Sequence, residues 1–205
     1  MEIEAGVHLY RSYLDESAQI ALLRDIEAVI AAAPLYLPTM PRSGKPFSVR
    51  MTNCGPLGWV SDKAGYRYQS RHPQTREPWP AIPQALLAAW EALADYPHPP
   101  QACLVNVYDS AARMGLHQDR DEAALDAPIL SISLGADCRF RLGGAKRGDP
   151  SRAFALSSGD ALTLGGPGRL RFHGVDKILP EIAPRLVSPL LAQGGRVNLT
   201  LRRVG

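Results

Sequence analysis

The chain has 205 residues, 45% of them hydrophobic and 21% charged, and a formal net charge of +3, which is the composition of an ordinary globular protein. This length supports one sizeable domain, and the mild positive charge permits an anionic partner such as nucleic acid without requiring one. The N-terminus shows no secretory signal pattern and no run of ~18 apolar residues is present. The 3 cysteines are widely spaced and form neither a disulfide nor a zinc pattern. We therefore expect a cytoplasmic protein without membrane segments.

Two amphipathic helices are predicted in the N-terminal half. The first spans residues 15–33, with Asp15 as its N-cap and Pro34 as its stop signal. Its apolar face is formed at three- and four-residue intervals by Ile20, Leu23, Ile26 and Ile30. The second helix spans about residues 83–95, between a proline at its start and the prolines that follow it. We expect both helices to be structural.

The stretch between the helices, about residues 35–80, mixes proline, glycine and aromatic residues with basic ones. A long irregular stretch in a compact chain is typical of a functional lid or a disordered linker. The aromatic residues argue against disorder because such side chains are normally buried or stacked. Short strands are predicted at about 47–52 and 65–69.

From residue 102 onward the pattern changes to short alternating segments separated by turn residues. These segments read ACLVNVY, PILSISLG, CRFRLGG, AFALSS, DALTLGG, RLRFHGV and RVNLTLRRV. Many short strands at this spacing indicate a sandwich, a jelly roll or a barrel. We predict one α+β, mainly β domain over residues 1–205, with its core at about 102–205.

Strand alternation gathers several polar side chains on shared faces. In LHQDRDE, His117 and Asp119 point the same way if the segment is extended. In RLRFHGV, alternation places Arg169, Arg171 and His173 on one face. The last strand places Arg196, Asn198, Thr200 and Arg202 together, and ACLVNVY places Asn106 and Tyr108 with Leu104. Such a polar set is costly to bury unless its members bind each other, a metal or a ligand.

Two histidines and one carboxylate form a facial triad for Fe(II), which leaves positions open for O2 and a bidentate organic acid. A guanidinium suits the carboxylates of that acid. An HxD pair alone is a weak signal, but HxD followed by a later histidine and two arginines on the last strand favours a metal site. The remaining histidines, His8, His72 and His98, are predicted to be surface residues.

Over residues 14–203 the chain resembles the AlkB family of Fe(II)/2-oxoglutarate-dependent dioxygenases. The motifs that carry the resemblance are MTNCGPLGW, HPQTREPWPAIPQ, ACLVNVY, LHQDRDE, APILSISLG, FHGV and RVNLTLR. The resemblance implies a double-stranded β-helix, or jelly-roll, core with a nucleotide-recognition lid at about 35–80.

The resemblance also implies roles for individual residues. His117, Asp119 and His173 would bind iron, and Arg202 would hold the far carboxylate of 2-oxoglutarate. The pocket would be completed by Arg196, Asn106, Tyr108 and Asn198. Trp59 would stack on a flipped base, Met51 and Tyr66 would line the nucleotide site, Asp121 would face the exocyclic edge of the base, and Arg147 would meet the DNA backbone.

The implied activity is oxidative demethylation of 1-methyladenine and 3-methylcytosine in DNA alkylation repair, with Fe(II), 2-oxoglutarate and O2. Alkylated single-stranded DNA is the expected partner, duplex DNA and RNA remain open, and nothing requires more than a monomer. Leu164 stands where the family leads us to expect tryptophan, and residues 109–115 lack the expected proline-glycine and serine. These departures leave the preference for methyl or larger adducts open. Two alternatives remain: the same chemistry on a small molecule or protein side chain, and a noncatalytic jelly-roll metal-binding module.

Overall fold

Two facing β-sheets form the centre of the structure, a computed structural model that describes residues 1–179, 186–192 and 194–205. The larger sheet has seven strands among these residues, in the spatial order β1 (Glu2–Glu4), β2 (Val7–Tyr10), β11 (Ala161–Leu164), β8 (Ile129–Gly135), β13 (Arg196–Arg202), β6 (Ala102–Tyr108) and β3 (Arg50–Cys54). The smaller sheet has four, in the order β10 (Arg152–Leu156), β9 (Cys138–Leu142), β12 (His173–Ile178) and β7 (Met114–His117). The pairing is antiparallel, and the predicted mainly β jelly roll is confirmed.

Helix α1 (Glu16–Ala32) packs on the outer face of the larger sheet. It begins where predicted, because the Asp15 side chain accepts a hydrogen bond from the Ala18 backbone N–H at 2.8 Å. The predicted apolar face is only partly right. The residues that α1 buries are Leu22, Leu23, Ile26 and Val29, and Ile20 is 37% exposed. The buried face is centred on Ile26, so the helix is rotated about its own axis relative to the predicted orientation.

Helix α2 (Gln84–Leu93) packs against the same outer face, with Leu86, Ala89 and Trp90 buried. Among the described residues two large hydrophobic cores result, one between the helices and the larger sheet and one between the two sheets, and a small third cluster contains Tyr36, Val60 and Trp79. In the described ranges no helix is long and apolar enough to cross a membrane.

Alternation along β13 separates these two environments, as its sequence predicts. Its apolar residues, Val197, Leu199 and Leu201, belong to the core beneath the helices. Its polar residues line a cavity between the sheets: Arg196, Asn198, Thr200 and Arg202. Strand β6 pairs with β13 and turns Leu104, Asn106 and Tyr108 toward the same cavity. The interior of the roll is therefore polar on one wall.

The stretch predicted as a lid contains a two-stranded hairpin formed by β4 (Gly58–Asp62) and β5 (Gly65–Gln69). Strand β5 was predicted from the sequence, whereas β4 was not, because its glycine and tryptophan give no alternating pattern. Strand β3, in the same stretch, pairs with β6 in the larger sheet. Strands β1 and β2, at the edge of that sheet, were also missed because they are only three and four residues long.

The strand predicted for RLRFHGV begins only at His173. The preceding residues form a short 3-10 helix at Gly166–Gly168 and a turn, with Gly166 at a φ of 47°. The expectation that Arg169 shares a strand face with His173 is therefore wrong. Glycines and a proline at residues 165–168 break the strand before it can extend that far.

Candidate metal and co-substrate site

The smaller sheet and the segment that follows β7 carry the predicted triad. His117, the last residue of β7, lies opposite His173, the first residue of β12, in antiparallel register. Asp119 reaches both rings: its Oδ1 lies 3.7 Å from His117 Nε2 and its Oδ2 lies 3.8 Å from His173 Nε2. All three donor atoms lie within 4.8 Å of one another. The structure therefore brings the three residues together.

A hydrogen bond from Nδ1 orients each imidazole. His117 Nδ1 donates to the Gly115 carbonyl at 2.9 Å, and His173 Nδ1 donates to the Arg171 carbonyl at 3.0 Å, because a carbonyl oxygen can only accept. In a neutral imidazole the other nitrogen then carries a lone pair. Both Nε2 lone pairs are therefore available on the side of the Asp119 carboxylate, and such backbone partners typically orient metal-bound histidines.

The electrostatics of this cluster fit a bound cation. Burial raises the pKa of Asp119, but Arg202, His173 and His117 together outweigh it and hold that pKa well below its usual range. Burial, with His117 beside it, lowers the pKa of His173 to about 4, so this ring is neutral at neutral pH. Asp119 Oδ2 is buried without a hydrogen-bond partner among the described residues. Imidazole and carboxylate ligands with three open positions suit Fe(II), so the residues present fit a ferrous ion.

The polar wall of the larger sheet faces the triad across the cavity, and it consists of Asn106, Tyr108, Arg196, Asn198 and Arg202. Arg202 Nη2 lies 2.8 Å from Asp119 Oδ1, and its Nε lies 3.5 Å from the Glu122 carboxylate. Arg196 is fully buried and donates to Ser133 Oγ at 2.6 Å. In the part of the chain that the structure describes, Arg196 has no carboxylate partner, and the Nε atoms of both arginines lack a hydrogen-bond acceptor. One arginine is thus neutralised within the protein and the other is not.

Comparison with known proteins agrees with this geometry. Residues 6–202 match the model of the 2OG-Fe(II) oxygenase superfamily. The chain is 52% identical to an alpha-ketoglutarate-dependent dioxygenase AlkB homolog of Caulobacter vibrioides, over 99% of this chain and 90% of that protein. It is 40% identical to the alpha-ketoglutarate-dependent dioxygenase AlkB of Escherichia coli, over 99% of this chain and 92% of that protein.

The chain belongs to the AlkB family of Fe(II)/2-oxoglutarate-dependent dioxygenases. The solved structure of OsALKBH1 superposes with a TM-score of 0.79 at 30% identity, covering 99% of this chain and 100% of that one. Membership in the AlkB family supplies the cofactor and co-substrates, which are Fe(II), 2-oxoglutarate and O2. It also decides against the noncatalytic metal-binding module.

The hairpin β4–β5 brings three of the predicted substrate residues together at the edge of the AlkB-family site. The rings of Trp59 and Tyr66 stack with centroids 5.5 Å apart and an angle of 21° between their planes. The Trp59 indole N–H donates to the Asp121 carboxylate at 2.9 Å. Tyr66 is 48% exposed, and Asp121 lies only two residues after Asp119. An aromatic face and a carboxylate therefore meet at Asp121, two residues along the chain from the metal ligand Asp119.

The other two predicted substrate residues lie elsewhere. Met51 is 1% exposed in the core between the sheets and does not line the cavity. Arg147 is exposed, donates to the Leu116 carbonyl at 3.2 Å, and lies over the ring of Phe172, with its guanidinium carbon 4.9 Å from the ring centroid. The side chain of Arg147 is thus held next to the strand that ends at His117.

Three further residues, to which sequence analysis assigned no role, form a network beside Arg202: Tyr68, which is partly buried, and the buried pair Glu122 and Arg169. Glu122 Oε1 accepts from the Tyr68 hydroxyl at 2.5 Å, and its Oε2 accepts from Arg169 Nη2 at 3.1 Å. Arg202 Nη1 lies 3.2 Å from the same hydroxyl. The Glu122 side chain is 1% exposed, so it belongs to the interior of the site although it lies in an irregular, acidic segment. The acidic run in LHQDRDE was a usable signal, because it holds more carboxylates than one metal needs.

His72 was predicted at the surface but is fully buried, with its ring against Tyr36 and Trp79. Its Nε2 lies 2.8 Å from the Pro34 carbonyl, and its Nδ1 accepts from two backbone N–H groups, of Gln74 and Thr75. Polar and proline-rich neighbours suggested exposure. In this irregular segment, however, the imidazole supplies the hydrogen bonds that backbone groups would otherwise make to each other, and it is buried together with them. His98 is exposed as predicted, and His8 is partly exposed.

The departures from the family pattern also have clear positions. Leu164, at the end of β11, is 1% exposed and lines the cavity. Residues 109–112 form a turn in which the Ala112 N–H donates to the Asp109 carbonyl at 3.1 Å. A Cβ atom on Gly115 would meet nothing within 4 Å. The missing serine side chain therefore leaves no packing defect, and of these departures Leu164 is the one that shapes the cavity.

Proposed function

We propose that this protein removes N-methyl groups from alkylated nucleic-acid bases such as 1-methyladenine and 3-methylcytosine, in repair of alkylated DNA. The observation that carries the proposal is the hydrogen-bonded pair of Trp59 and Asp121, the latter two residues after the metal ligand Asp119. Relatives support the substrate class: a fission-yeast protein, 30% identical over 78% of this chain and 57% of its own length, is named a tRNA demethylase. An Arabidopsis protein, 42% identical over 50% of this chain, is named a DNA N(6)-methyladenine demethylase.

The metal would be held by His117, Asp119 and His173. Together with 2-oxoglutarate and O2, bound iron supplies the oxidising chemistry that hydroxylates the N-methyl group, after which formaldehyde is lost. The chain keeps both imidazoles oriented through their Nδ1 hydrogen bonds. It also keeps Asp119 ionised through Arg202, so the ligand set needs no proton loss from Asp119 when metal binds.

Arg202 and Arg196 are proposed to bind opposite ends of 2-oxoglutarate. The sequence led us to assign the far carboxylate of 2-oxoglutarate to Arg202. Arg202 instead contacts the metal ligand Asp119 and is already balanced by two carboxylates, so we propose that it serves the metal-chelating end. Arg196 lies at the opposite end of β13, buried and without a carboxylate partner in the described residues. We assign the far carboxylate to Arg196, with Asn106, Tyr108 and Asn198 completing the pocket.

Base recognition follows from charge. N1-methyladenine and N3-methylcytosine are cationic, so the faces of Trp59 and Tyr66 and the carboxylate of Asp121 favour them over undamaged bases. Methylation at these atoms blocks Watson–Crick pairing, which lowers the cost of flipping the base out. Single-stranded DNA needs the least unpairing and is the proposed preferred substrate. Residues 35–80, which include the hairpin, are proposed to act as the lid.

A single chain is proposed to suffice for activity, since both the triad and the polar wall come from one chain. The 3 cysteines are all buried and free, which suits the reducing, cytoplasmic setting expected from the sequence.

The proposal is tested by mixing the protein anaerobically with Fe(II), 2-oxoglutarate and oligonucleotides that each carry one lesion, and then admitting air. We expect formaldehyde as one product. The base should become lighter by about 14 Da, because removal of an N-methyl group replaces CH₃ by H and so removes one CH₂. His117→Ala is the matched control and should give neither product. Turnover of 2-oxoglutarate without any change in base mass would overturn the proposed substrate class.

A further inference from the structure

The segment that carries Asp119 has no regular secondary structure. Residues 118–128, named here the ligand loop, connect β7 to β8. Near its middle, the backbone N–H groups of Ala123 and Ala124 donate to the Val204 carbonyl at 2.8 and 3.2 Å. Asp119 itself lies outside any strand ladder. Its position must therefore be fixed by side chains that reach the ligand loop from elsewhere.

One buried guanidinium makes three contacts along the ligand loop. Arg169 is 2% exposed, and its Nε donates to the Ala127 carbonyl at 2.7 Å. Its Nη1 donates to the backbone carbonyl of Asp119, and its Nη2 donates to Glu122 Oε2 at 3.1 Å. These acceptors lie near the start, the middle and the end of the ligand loop. All of them are held by one rigid, planar donor group.

Arg169 also belongs to the turn that leads into the third metal ligand. It follows the 3-10 helix at Gly166–Gly168 and precedes His173 by four residues. The same turn contacts the ligand loop a second time, because Gln118 Nε2 donates to the Leu170 carbonyl at 2.5 Å. Arg169 thus joins the segment that carries Asp119 to the segment that leads to His173.

A buried arginine is costly unless its charge is balanced and its donors are satisfied. Asp119 and Glu122 together balance Arg202 and Arg169, with Glu122 nearer to Arg169, and carbonyl oxygens accept from the other Arg169 donors. Lysine could replace the charge but not the planar fork that spans several acceptors. The arrangement therefore requires arginine for its geometry and not only for its charge.

We propose that Arg169 is a positioning residue for the metal site, which fixes Asp119 relative to His173 by clamping the ligand loop. Arg169 does not line the cavity and acts through the backbone of Asp119. Partners of metal ligands typically affect metal affinity by 10–100-fold. The inference rests on the iron site but not on the nature of the methylated substrate.

The test measures metal binding without nucleic acid. Metal-free wild type, Arg169→Met and Arg169→Lys are titrated anaerobically with Co(II), and its visible absorption reports ligand number and dissociation constant. The matched control is Arg11→Met, because Arg11 also holds a carboxylate, of Asp160 at 2.6 Å, and a backbone carbonyl, of Ala155 at 2.9 Å, away from the cavity. The metal-induced rise in Tm is recorded in parallel, since it depends on affinity for the folded state.

We expect Arg169→Met to raise the Co(II) dissociation constant by about 10–100-fold, with a smaller metal-induced rise in Tm. Arg169→Lys should recover only part of the affinity, and Arg11→Met should bind Co(II) like wild type even if it unfolds at a lower temperature. An unchanged Co(II) affinity in Arg169→Met, or a fully restored affinity in Arg169→Lys, would overturn the proposed positioning role of Arg169. If the methionine variant does not fold, the lysine variant decides by the same criterion. A wild type that binds Co(II) but demethylates no base would overturn the proposed function and leave this inference standing.

Discussion

Charge balance at individual residues distinguishes two arginines that the sequence presents as equivalent. Arg202 lies between Asp119 and Glu122, and although burial opposes its charge, these carboxylates and Tyr68 raise the pKa of its guanidinium. Arg196 has only neutral acceptors among the described residues. An anion arriving in the cavity therefore gains more from Arg196, where it replaces no existing ion pair.

This difference predicts the effect of Arg196→Met on co-substrate choice. Loss of a charge-assisted contact worth about 1.5–3 kcal/mol should raise the KM for 2-oxoglutarate by roughly 10–100-fold. Turnover is measured with 2-oxoglutarate and with 2-oxopentanoate, which lacks the far carboxylate. Wild type should strongly prefer the diacid and Arg196→Met should lose most of that preference. If Arg202→Met loses the preference instead, the assignment of the two arginines is reversed.

The depressed pKa of His173 predicts a pH dependence for the metal-free protein. Its value of about 4 in the folded state, caused first by burial and then by His117, lies below the ordinary value of about 6.5 for an unfolded chain. The unfolded state therefore binds the proton more readily. The stability from this residue is complete above pH 6.5 and is lost as the pH falls toward 4, by up to about 3 kcal/mol.

Urea unfolding of metal-free wild type and His173→Gln between pH 7 and pH 4 checks this. Glutamine does not titrate, so the variant should lose less unfolding free energy over the same range. Parallel curves for the two proteins would show that His173 does not contribute. Saturating metal should protect wild type and not the variant, because metal competes with protons for Nε2.

At the scale of elements, the hairpin β4–β5 presents aromatic residues to the edge of the site. Trp59 is held from three sides, by stacking on Tyr66, by the edge of Phe47, and by its N–H bond to Asp121. A side chain fixed in this way loses little further entropy when a base stacks on it. The hairpin therefore preorganises the proposed base platform.

Trp59→Ala should weaken binding of a methylated oligonucleotide by about 1–3 kcal/mol, whereas Trp59→Phe should retain most of the affinity because it keeps an aromatic face. Fluorescence anisotropy with methylated and unmethylated oligonucleotides measures the effect. The KM for 2-oxoglutarate serves as the internal control, since Trp59 does not line the cavity. Equal binding by wild type and the alanine variant would remove Trp59 from base recognition.

Elements with a repeating pattern were the ones that sequence could predict. Strand β13 alternates so regularly that its cavity-facing residues were named correctly from the sequence: Arg196, Asn198, Thr200 and Arg202. The directions of the Arg169 and Glu122 side chains could not be predicted, because both residues lie in irregular segments without a repeating pattern, although the acidic run around Glu122 indicated a surplus carboxylate. His72 was misjudged for the same reason. The metal triad could be predicted because His117 ends one strand, His173 begins another, and Asp119 lies only two residues after His117.

For the whole molecule, the larger sheet separates a helical, apolar side from the polar cavity between the sheets. Helix α1 lies on the helical side, where Arg24 is exposed. Arg147 lies on the cavity side, held by the Leu116 carbonyl and the ring of Phe172. With a net charge of only +3, long-range attraction to nucleic acid is weak. Affinity must therefore depend on a few local cations near the site.

Salt titration tests whether Arg147 is one of these cations. For single strands the slope of log affinity against log salt is about −0.7 for each phosphate contacted. Arg147→Ala should make that slope shallower by about 0.7 and weaken methylated and unmethylated strands alike, because a phosphate contact carries no base information. Arg24→Ala removes the same charge from the opposite side of the larger sheet and should leave the slope unchanged. Equal shifts in both variants would mean that only net charge matters, and no shift in either would leave Arg147 with the purely structural contacts that it makes to Leu116 and Phe172.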